Sequence, residues 1–229
     1  MLKRRTKAMY YAVAGPMMQA SGLVYRSFLA PRSGAVKVQL GPGQRNYLPG
    51  WINVDANIFT GKCDVWADLR RKLPFRDETV DVLYSHHVIE HLPDIAFHFR
   101  EIYRCLKPGG CFRVGGPNVD SAIRKFAEGD AAWFIDYPDT RRSLGGKFEN
   151  FIFCRQEHLT ILTYSWLHEL ASDTGFHGLR CCKPGCETSL GEWIDQTVLA
   201  MEPETTPDMP HTLIIEGIKP ANVARQRSA

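Results

Sequence analysis

The sequence predicts an α/β fold, in which a mostly parallel sheet is covered by helices on both faces. Short β-rich runs alternate with segments of helical periodicity. Several of these runs are almost continuously apolar, as expected of strands that are buried on both sides. A chain of 229 residues with 44% hydrophobic residues can bury one large core, so we expect one main domain.

Seven runs have the composition of β-strands, and each is short enough to cross a small sheet once. They are residues 36–40, 51–54, 64–67, 80–84, 111–114, 179–182 and 212–218.

The clearest helical pattern lies between the fourth and fifth of these runs. From Pro93 to Leu106, apolar residues recur at i, i+4, i+7, i+8 and i+11, which places them on one helix face. Asp94 is a suitable N-cap, and Lys107-Pro108-Gly109-Gly110 should end the helix in a turn. A second helix is predicted from Ser165 to Thr174, with Gly175 at its C-terminal end.

Two segments do not fit the alternation. Residues 131–160 are rich in aromatic and basic side chains, which suits a lid over a substrate and equally a loop that packs its own aromatics on the core. Residues 189–201 are predicted to form an extra helix before a Pro-rich linker. We therefore expect a basic N-terminal arm (1–32), a main domain (33–220) and a tail (221–229).

The N-terminal arm carries six basic residues and no acidic residue, although the whole chain has a net charge of only +3. That net charge is too small to indicate nucleic-acid binding, whereas the basic arm suggests contact with an acidic membrane surface. From Ala8 to Tyr25 the arm is uncharged, but Gly15 and Pro16 interrupt it. A packed or membrane-surface helix is favoured over a membrane span or a cleaved signal peptide, and deletion of the arm should spare the binding of ligands to the main domain.

The seven cysteines are odd in number and irregularly spaced, which favours a reduced, cytoplasmic setting. The cluster from Cys181 to Cys186 lacks a second ligand pair at zinc-finger spacing. Buried cysteine thiols beside a turn are the favoured interpretation, so we assign no metal ligand there.

Glycines and acidic residues follow the first three predicted strands. Gly41 and Gly43 come directly after the first strand, Asp55 ends the second, and Asp68-Leu69 follows the third. In an open α/β sheet, ligands bind at the carboxyl ends of the strands, where a carboxylate can accept both hydroxyls of a ribose. A lone Gly-x-Gly is weak evidence for a nucleotide-binding loop, and the G-x-G-x-x-G spacing of dehydrogenases is missing. The ordered succession of glycines and acidic residues after three strands is a stronger signal.

The segments "LPFRDETVDVLYSHHVIEHL" and "LKPGG" follow in the same order. With them, residues 36–118 resemble the class I S-adenosylmethionine-dependent methyltransferases, specifically the methyltransferase-11-like branch. The resemblance implies a Rossmann-like, doubly wound, seven-stranded sheet that is mostly parallel, with the last strand antiparallel. It also implies S-adenosyl-L-methionine as the cofactor.

The resemblance implies which residues surround the methyl-donating end of the cofactor. Leu40, Gly41 and Gly43 would line its methionine part. Ser85 and His86, just past the fourth strand, would lie under the sulfonium.

At the nucleoside end, the resemblance implies that Asp55 holds the ribose hydroxyls. Asp68 would accept the adenine amino group, and Leu69 would cover one face of the ring. The chain departs from the pattern at Gln39, where an acidic residue is frequent, and near Arg45, where the third glycine is replaced. The connection from Gly41 to Asp55 is also too short for a full helix.

Histidines after the fourth strand are candidate catalytic bases. A hydroxyl acceptor benefits from a base, and His87 and His91 are the catalytic candidates, with His86 and His158 as further histidines to weigh. We favour His87, because its position opens toward the transferred methyl group. For each histidine, a structural role at a helix start or in the core is an equally good interpretation.

The stretch His87-Val88-Ile89-Glu90-His91 also matches the H-x-x-E-H pattern of inverted zinc peptidases. On a helix, the two histidines would share a face and could bind zinc. Pro93 limits the helix that can form, which argues against a peptidase. Some quinone-pathway O-methyltransferases look to hold a divalent cation on residues aligned with His87, Glu90 and His91, but we assign no metal site.

The function that these patterns favour is methyl transfer from S-adenosylmethionine to a small-molecule, glycan or lipid-linked acceptor, at oxygen. Proteins of the branch that the chain resembles often accompany polysaccharide biosynthesis, so we expect a cytoplasmic, membrane-peripheral enzyme with a small-molecule or sugar acceptor. The shortened glycine loop and Gln39 leave an alternative open, a cofactor-binding partner subunit without catalysis.

Overall fold

The computed structural model describes residues 4–59 and 61–221, and it confirms the α/β fold. Seven strands form one sheet in the order β3-β2-β1-β4-β5-β7-β6. The pairs from β3 to β5 are parallel, whereas β7 is antiparallel to both β5 and β6. The strands are β1 (Lys37–Leu40), β2 (Ile52–Asp55), β3 (Val65–Trp66), β4 (Val80–His86), β5 (Leu106–Pro117), β6 (His177–Cys182) and β7 (Thr212–Ile218).

Six α-helices occur in the described part of the chain. They are α1 (Arg4–Val24, followed by a π-helical turn at Tyr25–Leu29), α2 (Ile95–Cys105), α3 (Val119–Ala127), α4 (Leu144–Phe153), α5 (Tyr164–Thr174) and α6 (Gln196–Leu199). The largest buried cluster contains side chains of β1, β4, β5, α2 and α5, so these elements form the main core.

The two helices predicted most clearly begin and end as their capping residues indicate. The Asp94 carboxylate accepts a hydrogen bond from the Phe97 N–H at 2.7 Å, which satisfies one free donor at the start of α2. Gly175 ends α5 in a left-handed conformation, with φ at +104°. The connection from β1 to β2 contains no helix, as its length predicts.

The Lys107–Gly110 segment ends α2 as expected, but it belongs to β5 and not to a separate turn. The Gly109 N–H donates to the Lys219 carbonyl at 2.9 Å, and the Lys219 N–H donates to the Gly110 carbonyl at 2.8 Å. These bonds extend the antiparallel pairing beyond the end of β7, so the strand begins directly after α2.

The extra helix predicted over residues 189–201 is reduced to the four-residue α6. Ser189 is held outside a helix, because its N–H and its hydroxyl both donate to the Glu216 carboxylate at 2.7 Å. Asp195 then caps α6 by accepting from the N–H groups of Thr197 and Val198. The apolar periodicity of the segment is real, since Leu190 and Val198 are buried, but side-chain hydrogen bonds override it.

The segment 131–160 folds into α4 and a small second core. Trp133, Phe134 and Phe151 are buried there against α3. The buried rings are typical of a loop that packs its own aromatics, while Tyr137 and Phe153 stay exposed, so the lid and the packed loop both stay predictions.

Arg113, on β5, is fully buried between two carboxylates. Its guanidinium donates to both oxygens of Glu202, at 2.7 and 2.6 Å, and to Glu216 of β7. Burial alone would raise the pKa of Glu216, but hydrogen bonds from Ser189 and Thr188, with the charge of Arg113, hold it below the ordinary value. This cluster ties the linker after α6 to the antiparallel end of the sheet.

The helix α1 packs one face on the domain and exposes the other. Met18 is buried, whereas Val13 and Met17 are 69% and 59% exposed. Among the described residues, no helix is long and apolar enough to cross a membrane. Lys3, the side chains of Arg4, Arg5 and Lys7, and the predicted tail from residue 222 onward lie outside the described residues.

Candidate functional site

A cavity of about 450 Å³ opens at the carboxyl ends of β1 to β4. Many of the residues predicted to bind the cofactor or to act in catalysis meet there, although they come from separate connections. The predicted residues that line it are Gly41, Asp55, Asp68, Leu69, His87 and His91.

Gly41 cannot carry a side chain in this fold. Its φ is +66°, and a Cβ atom would lie 2.3 Å from Cγ2 of Val88. The loop after β4 therefore packs directly against the backbone of the loop after β1. Val88 occupies the place that a side chain at this position would need, and Gly41 presents only its backbone to the cavity.

Asp55 lies at the cavity with both carboxylate oxygens oriented by backbone groups. One oxygen accepts from the Gly43 N–H at 3.0 Å, and the other accepts from the Asn57 N–H at 2.9 Å. Each oxygen can accept a further hydrogen bond. Gly43 itself does not line the cavity, so its contribution is to hold Asp55 in place.

Asp68 also lies at the cavity, but both of its oxygens are bonded to Arg70. The guanidinium donates to them at 2.8 Å each, and it lies 3.4 Å from the ring centre of Tyr11 on α1. The end of the cavity predicted to hold adenine is therefore built by an Asp68–Arg70–Tyr11 stack. Since α1 supplies part of this wall, deletion of residues 1–32, predicted above to spare ligand binding, would also remove Ala8 and Tyr11 from the cavity.

Besides Gly43, three predicted cofactor residues do not line the cavity. Leu40 and Ser85 pair across β1 and β4 with fully buried side chains, because strand side chains at these positions point into the core. The His86 ring stacks on Tyr84 and lies edge-on to His87, and burial, followed by the charges of His87 and Arg113, holds its pKa well below the ordinary value.

A second cavity of about 260 Å³ lies on the other side of His87. Tyr137 and Phe151 from the 131–160 segment form part of its wall, and His211 and Thr212 at the start of β7 form another part. His87 lines both cavities, so its imidazole stands between them.

The imidazole of His87 is held at both nitrogens. Nδ1 lies 3.1 Å from Oε1 of Glu90, and Nε2 lies 3.2 Å from the Thr212 hydroxyl. Its backbone is left-handed, with φ at +54°, which is uncommon outside glycine. Burial would raise the pKa of Glu90, but the hydrogen bond and charge of His87, with the charge of His91, hold it below the ordinary value.

The helix that a zinc peptidase would need is absent from this part of the chain. Only Ile89–His91 forms a short 3₁₀ turn, and the His87 N–H still bonds to the Gly115 carbonyl of β5. The two histidines of the H-x-x-E-H pattern therefore do not share a helix face, and the peptidase interpretation is wrong. The metal-competent group that includes Glu90 and His91 takes His158 as its third member, and not His87.

Ten residues of the first cavity were not predicted from the sequence. They are Ala8, Tyr11, Ala56, Arg70, Val88, Leu92, Pro93, Gln156, Glu157 and Leu159. Most belong to segments whose position depends on tertiary packing. Arg70 follows Asp68 closely enough to be a candidate partner, which is the one signal that sequence reasoning could have used.

Comparisons with known proteins agree with this fold. Residues 56–114 match the family model described as "Methyltransferase domain". The chain is 48% identical over 56 residues to cycloartenol-C-24-methyltransferase 1 of Oryza sativa subsp. japonica, which is 24% of this chain and 16% of that protein. It is 49% identical over 47 residues to a probable S-adenosylmethionine-dependent methyltransferase of Mycolicibacterium smegmatis, which is 20% of this chain and 18% of that protein.

Among solved structures, the chain is similar to an S-adenosylmethionine-dependent methyltransferase, possible histamine N-methyltransferase, from Thermotoga maritima. The TM-score is 0.52 at 17% identity, and the match covers 94% of this chain and 96% of that one. At this identity the likeness concerns the fold.

The sheet order and the matched segment, residues 56–114, are similar to those of class I S-adenosylmethionine-dependent methyltransferases. The family model that this segment matches is of the methyltransferase-11 type, in agreement with the motifs. The curated relatives match over less than a fifth of their own length, so the acceptor and the activity of this protein are questions for its own site.

Proposed function

We propose that this protein transfers a methyl group from S-adenosylmethionine to a hydroxyl of a small-molecule, sugar or lipid-linked acceptor. The observation that carries the proposal is the position of His87, which lines both cavities at once. The larger cavity has the cofactor residues Gly41 and Asp55, and the smaller one has the size and lining of an acceptor pocket.

The residues of the larger cavity fit the cofactor. Gly41 presents only backbone to the cavity, and the oriented Asp55 carboxylate can accept the hydroxyls of a ribose. When bound, S-adenosylmethionine supplies an activated methyl group on a sulfonium. What this chain must add is alignment of the acceptor with that group, which is worth several kcal/mol.

His87 is the residue placed to hold the acceptor proton. Because the Glu90 carboxylate accepts from Nδ1, the proton of neutral imidazole is held there and Nε2 is the acceptor nitrogen. Nε2 lies 3.2 Å from the Thr212 hydroxyl at the rim of the second cavity, and an acceptor hydroxyl would replace that partner. An acceptor hydroxyl bound there would give its proton to Nε2, and Glu90 would stabilise the imidazolium that forms.

The second cavity suits one ring with polar substituents. Its aromatic wall, Tyr137 and Phe151, can stack on a sugar or phenolic ring, while Asn150 Oδ1, which has no partner within the described residues, offers a polar contact. The plant relative is named as acting on a sterol, cycloartenol, and a polycyclic acceptor would have to extend beyond a 260 Å³ cavity. We therefore favour a sugar or phenolic hydroxyl.

Asp55→Ala tests the cofactor half of the proposal. Removing a charged acceptor of ribose hydrogen bonds is expected to weaken S-adenosylhomocysteine binding by roughly 10- to 100-fold, since such bonds contribute about 1.5–3 kcal/mol. Isothermal titration calorimetry measures the change. Asp173→Ala, on the exposed side of α5, is the matched control and should leave affinity unchanged.

The same protein preparation separates catalysis from mere binding. Release of S-adenosylhomocysteine should appear with at least one member of a panel of phenolic, catecholic and sugar acceptors. Tight binding without turnover on the panel, together with co-purification with an active methyltransferase, would favour the partner-subunit alternative. No binding by the wild type, and no effect of Asp55→Ala, would contradict the proposal.

We propose further that the outer face of α1 contacts an anionic membrane surface from the cytoplasmic side. Between Ala8 and Tyr25 the chain carries no charge, and the apolar side chains of Met9, Val13 and Met17 are exposed to solvent. The exposed side chains of Ile58 and Phe59 lie beside them and widen the apolar surface. A helix that lies in a membrane interface has this character.

Charge complementarity favours a bilayer over another protein as the occupant. A groove along the C-terminal half of α1 is lined by Arg26, Arg71 and Lys72, and no ion pair within the described residues engages them. The first 32 residues contain no acid. Each such cation near an anionic bilayer contributes about 1 kcal/mol.

Val13→Glu/Met17→Glu tests this contact. This double substitution should lower the affinity for vesicles of equal parts phosphatidylcholine and phosphatidylglycerol by about tenfold or more. The reason is that the two apolar side chains would no longer enter the bilayer. Stability should change little, since both positions are exposed. His168→Glu/Ser172→Glu on α5 is the charge-matched control in the sedimentation assay. A wild-type dimer that the Val13/Met17 pair dissociates, without vesicle binding, would show a self-interface and refute the membrane proposal.

A further inference from the structure

Three side chains with metal-binding atoms meet in the wall between the two cavities. Glu90 and His91 come from the short turn after β4, and His158 comes from the segment after α4. One ligand atom of each lies within 4.8 Å of the others, and His91 Nε2 is 3.9 Å from Oε1 of Glu90. The two imidazole rings are 5.0 Å apart at their centres.

Backbone carbonyls fix the tautomer of both histidines. His91 Nδ1 lies 2.9 Å from the Glu157 carbonyl, and His158 Nδ1 lies 2.9 Å from the Ile152 carbonyl. A carbonyl only accepts, so each Nδ1 carries the proton and each Nε2 keeps its lone pair. This arrangement, with the outer nitrogen bonded to a carbonyl, is the one that metal-binding histidines adopt.

Glu90 supplies the negative charge and an unused oxygen. It is 1% exposed, and its Oε2 has no hydrogen-bond partner within the described residues. A buried carboxylate oxygen without a partner costs free energy in a folded protein. A bound cation would remove that cost.

The backbone before His158 is strained, as segments at functional sites often are. Cys154, Arg155 and Gln156 are consecutive non-glycine residues in the left-handed region, with φ at 44°, 56° and 63°. Non-glycine residues adopt this conformation only where the surrounding structure holds them in it. The strained turn returns the chain from α4 so that His158 faces Glu90 and His91.

We propose that Glu90, His91 and His158 bind one divalent transition metal ion of the zinc type. Two imidazoles and one carboxylate are a ligand set of catalytic zinc sites, which keep a position open. His91 lines the first cavity and His158 lines the second, so the open position faces the place where the two meet. Binding of zinc at about 2.0–2.2 Å requires the three donors to move closer together by roughly 1 Å.

An ion at this place would polarise an acceptor hydroxyl beside His87 and ease its loss of a proton. This role in turnover rests on the proposed methyl transfer, whereas metal binding itself does not. Magnesium and calcium prefer oxygen ligands, so the two imidazoles select against them.

Cobalt(II) substitution is the test, on tag-free, full-length protein freed of metal by a chelator. The wild type is expected to develop visible d–d absorption with one equivalent of cobalt, and zinc should abolish the bands. His91→Ala and His158→Ala should each weaken zinc affinity at least about 10-fold by calorimetry. His168→Ala, an exposed histidine on α5, is the matched control and should bind as the wild type does.

Glu90→Gln keeps the size of the buried side chain and serves as a second variant if an alanine variant does not fold. No cobalt spectrum in the wild type, or zinc binding that is equal in the wild type and in the His91 and His158 variants, would overturn the site. Metal binding without any methyl transfer would leave the site standing and count against the proposed function. If the chelator-treated protein turns over at the full rate, the ion has no catalytic role and the proposed function still stands.

Discussion

Replacing His87 with asparagine is expected to lower the turnover number for methyl transfer by about 10²- to 10⁴-fold, the usual contribution of a general base. The side chain stands between the two cavities, with Nδ1 bonded to Glu90 and Nε2 directed to Thr212. Asparagine accepts the left-handed backbone of this position more readily than most residues do. The loss should therefore come from chemistry and not from folding.

Two measurements separate the catalytic role of His87 from a structural one. The rate of S-adenosylhomocysteine release should fall on the best acceptor of the panel, while the Kd of S-adenosylmethionine and the urea midpoint stay close to the wild type. His168→Asn on α5 serves as the histidine control. A turnover number near that of the wild type would show that another group takes the acceptor proton, or that the acceptor needs no base.

Replacing Arg113 with methionine is expected to lower the free energy of unfolding by about 3–5 kcal/mol. The guanidinium is fully buried and balances Glu202 and Glu216, which are fully buried too. Without it, two desolvated carboxylates face each other with no cation. Urea unfolding followed by circular dichroism gives the difference, and Arg113→Met/Glu202→Gln should recover part of it by removing one of the charges.

The stability of this cluster depends on pH in a defined direction. The pKa of folded Glu216 lies below the ordinary value of 4.5. Its contribution is therefore complete above pH 4.5, where the unfolded carboxyl is also ionised, and is lost as the pH falls through the folded pKa. The difference in unfolding free energy between the wild type and Arg113→Met should therefore decrease as the pH falls. An equal gap at pH 4 and at pH 7 would contradict the assignment of the loss to buried charge.

The sheet and the centre of the larger cavity could be predicted from the sequence, because both depend on local patterns. Buried strands are continuous apolar runs, and parallel strands end at the same edge, so Gly41, Asp55, Asp68 and His87 had to lie close together. Position 41 has a left-handed backbone and lies against Val88, and both features require a glycine. A glycine at this position is visible in the sequence.

The remaining walls of the cavities depend on contacts between segments that are distant in the sequence. Hydrophobic periodicity does not predict such contacts. Tyr11 reaches the cavity only because α1 packs beside β3. His158 meets Glu90 only through the strained turn after α4. The predicted helix over 189–201 was lost for a related reason, since Ser189 bonds to Glu216 on another strand and local propensity could not show that partner.

The helix α1 carries Tyr11 on its inner side, against Arg70 at the cofactor cavity, and an uncharged surface on its outer side. One helix therefore lines the cofactor cavity with one face and is exposed to the surroundings of the protein with the other. Thermodynamic linkage makes any coupling between them reciprocal: if docking of the outer side changes cofactor affinity by some factor, the cofactor changes docking by the same factor. How full the cofactor cavity is would then depend on where in the cell the protein lies.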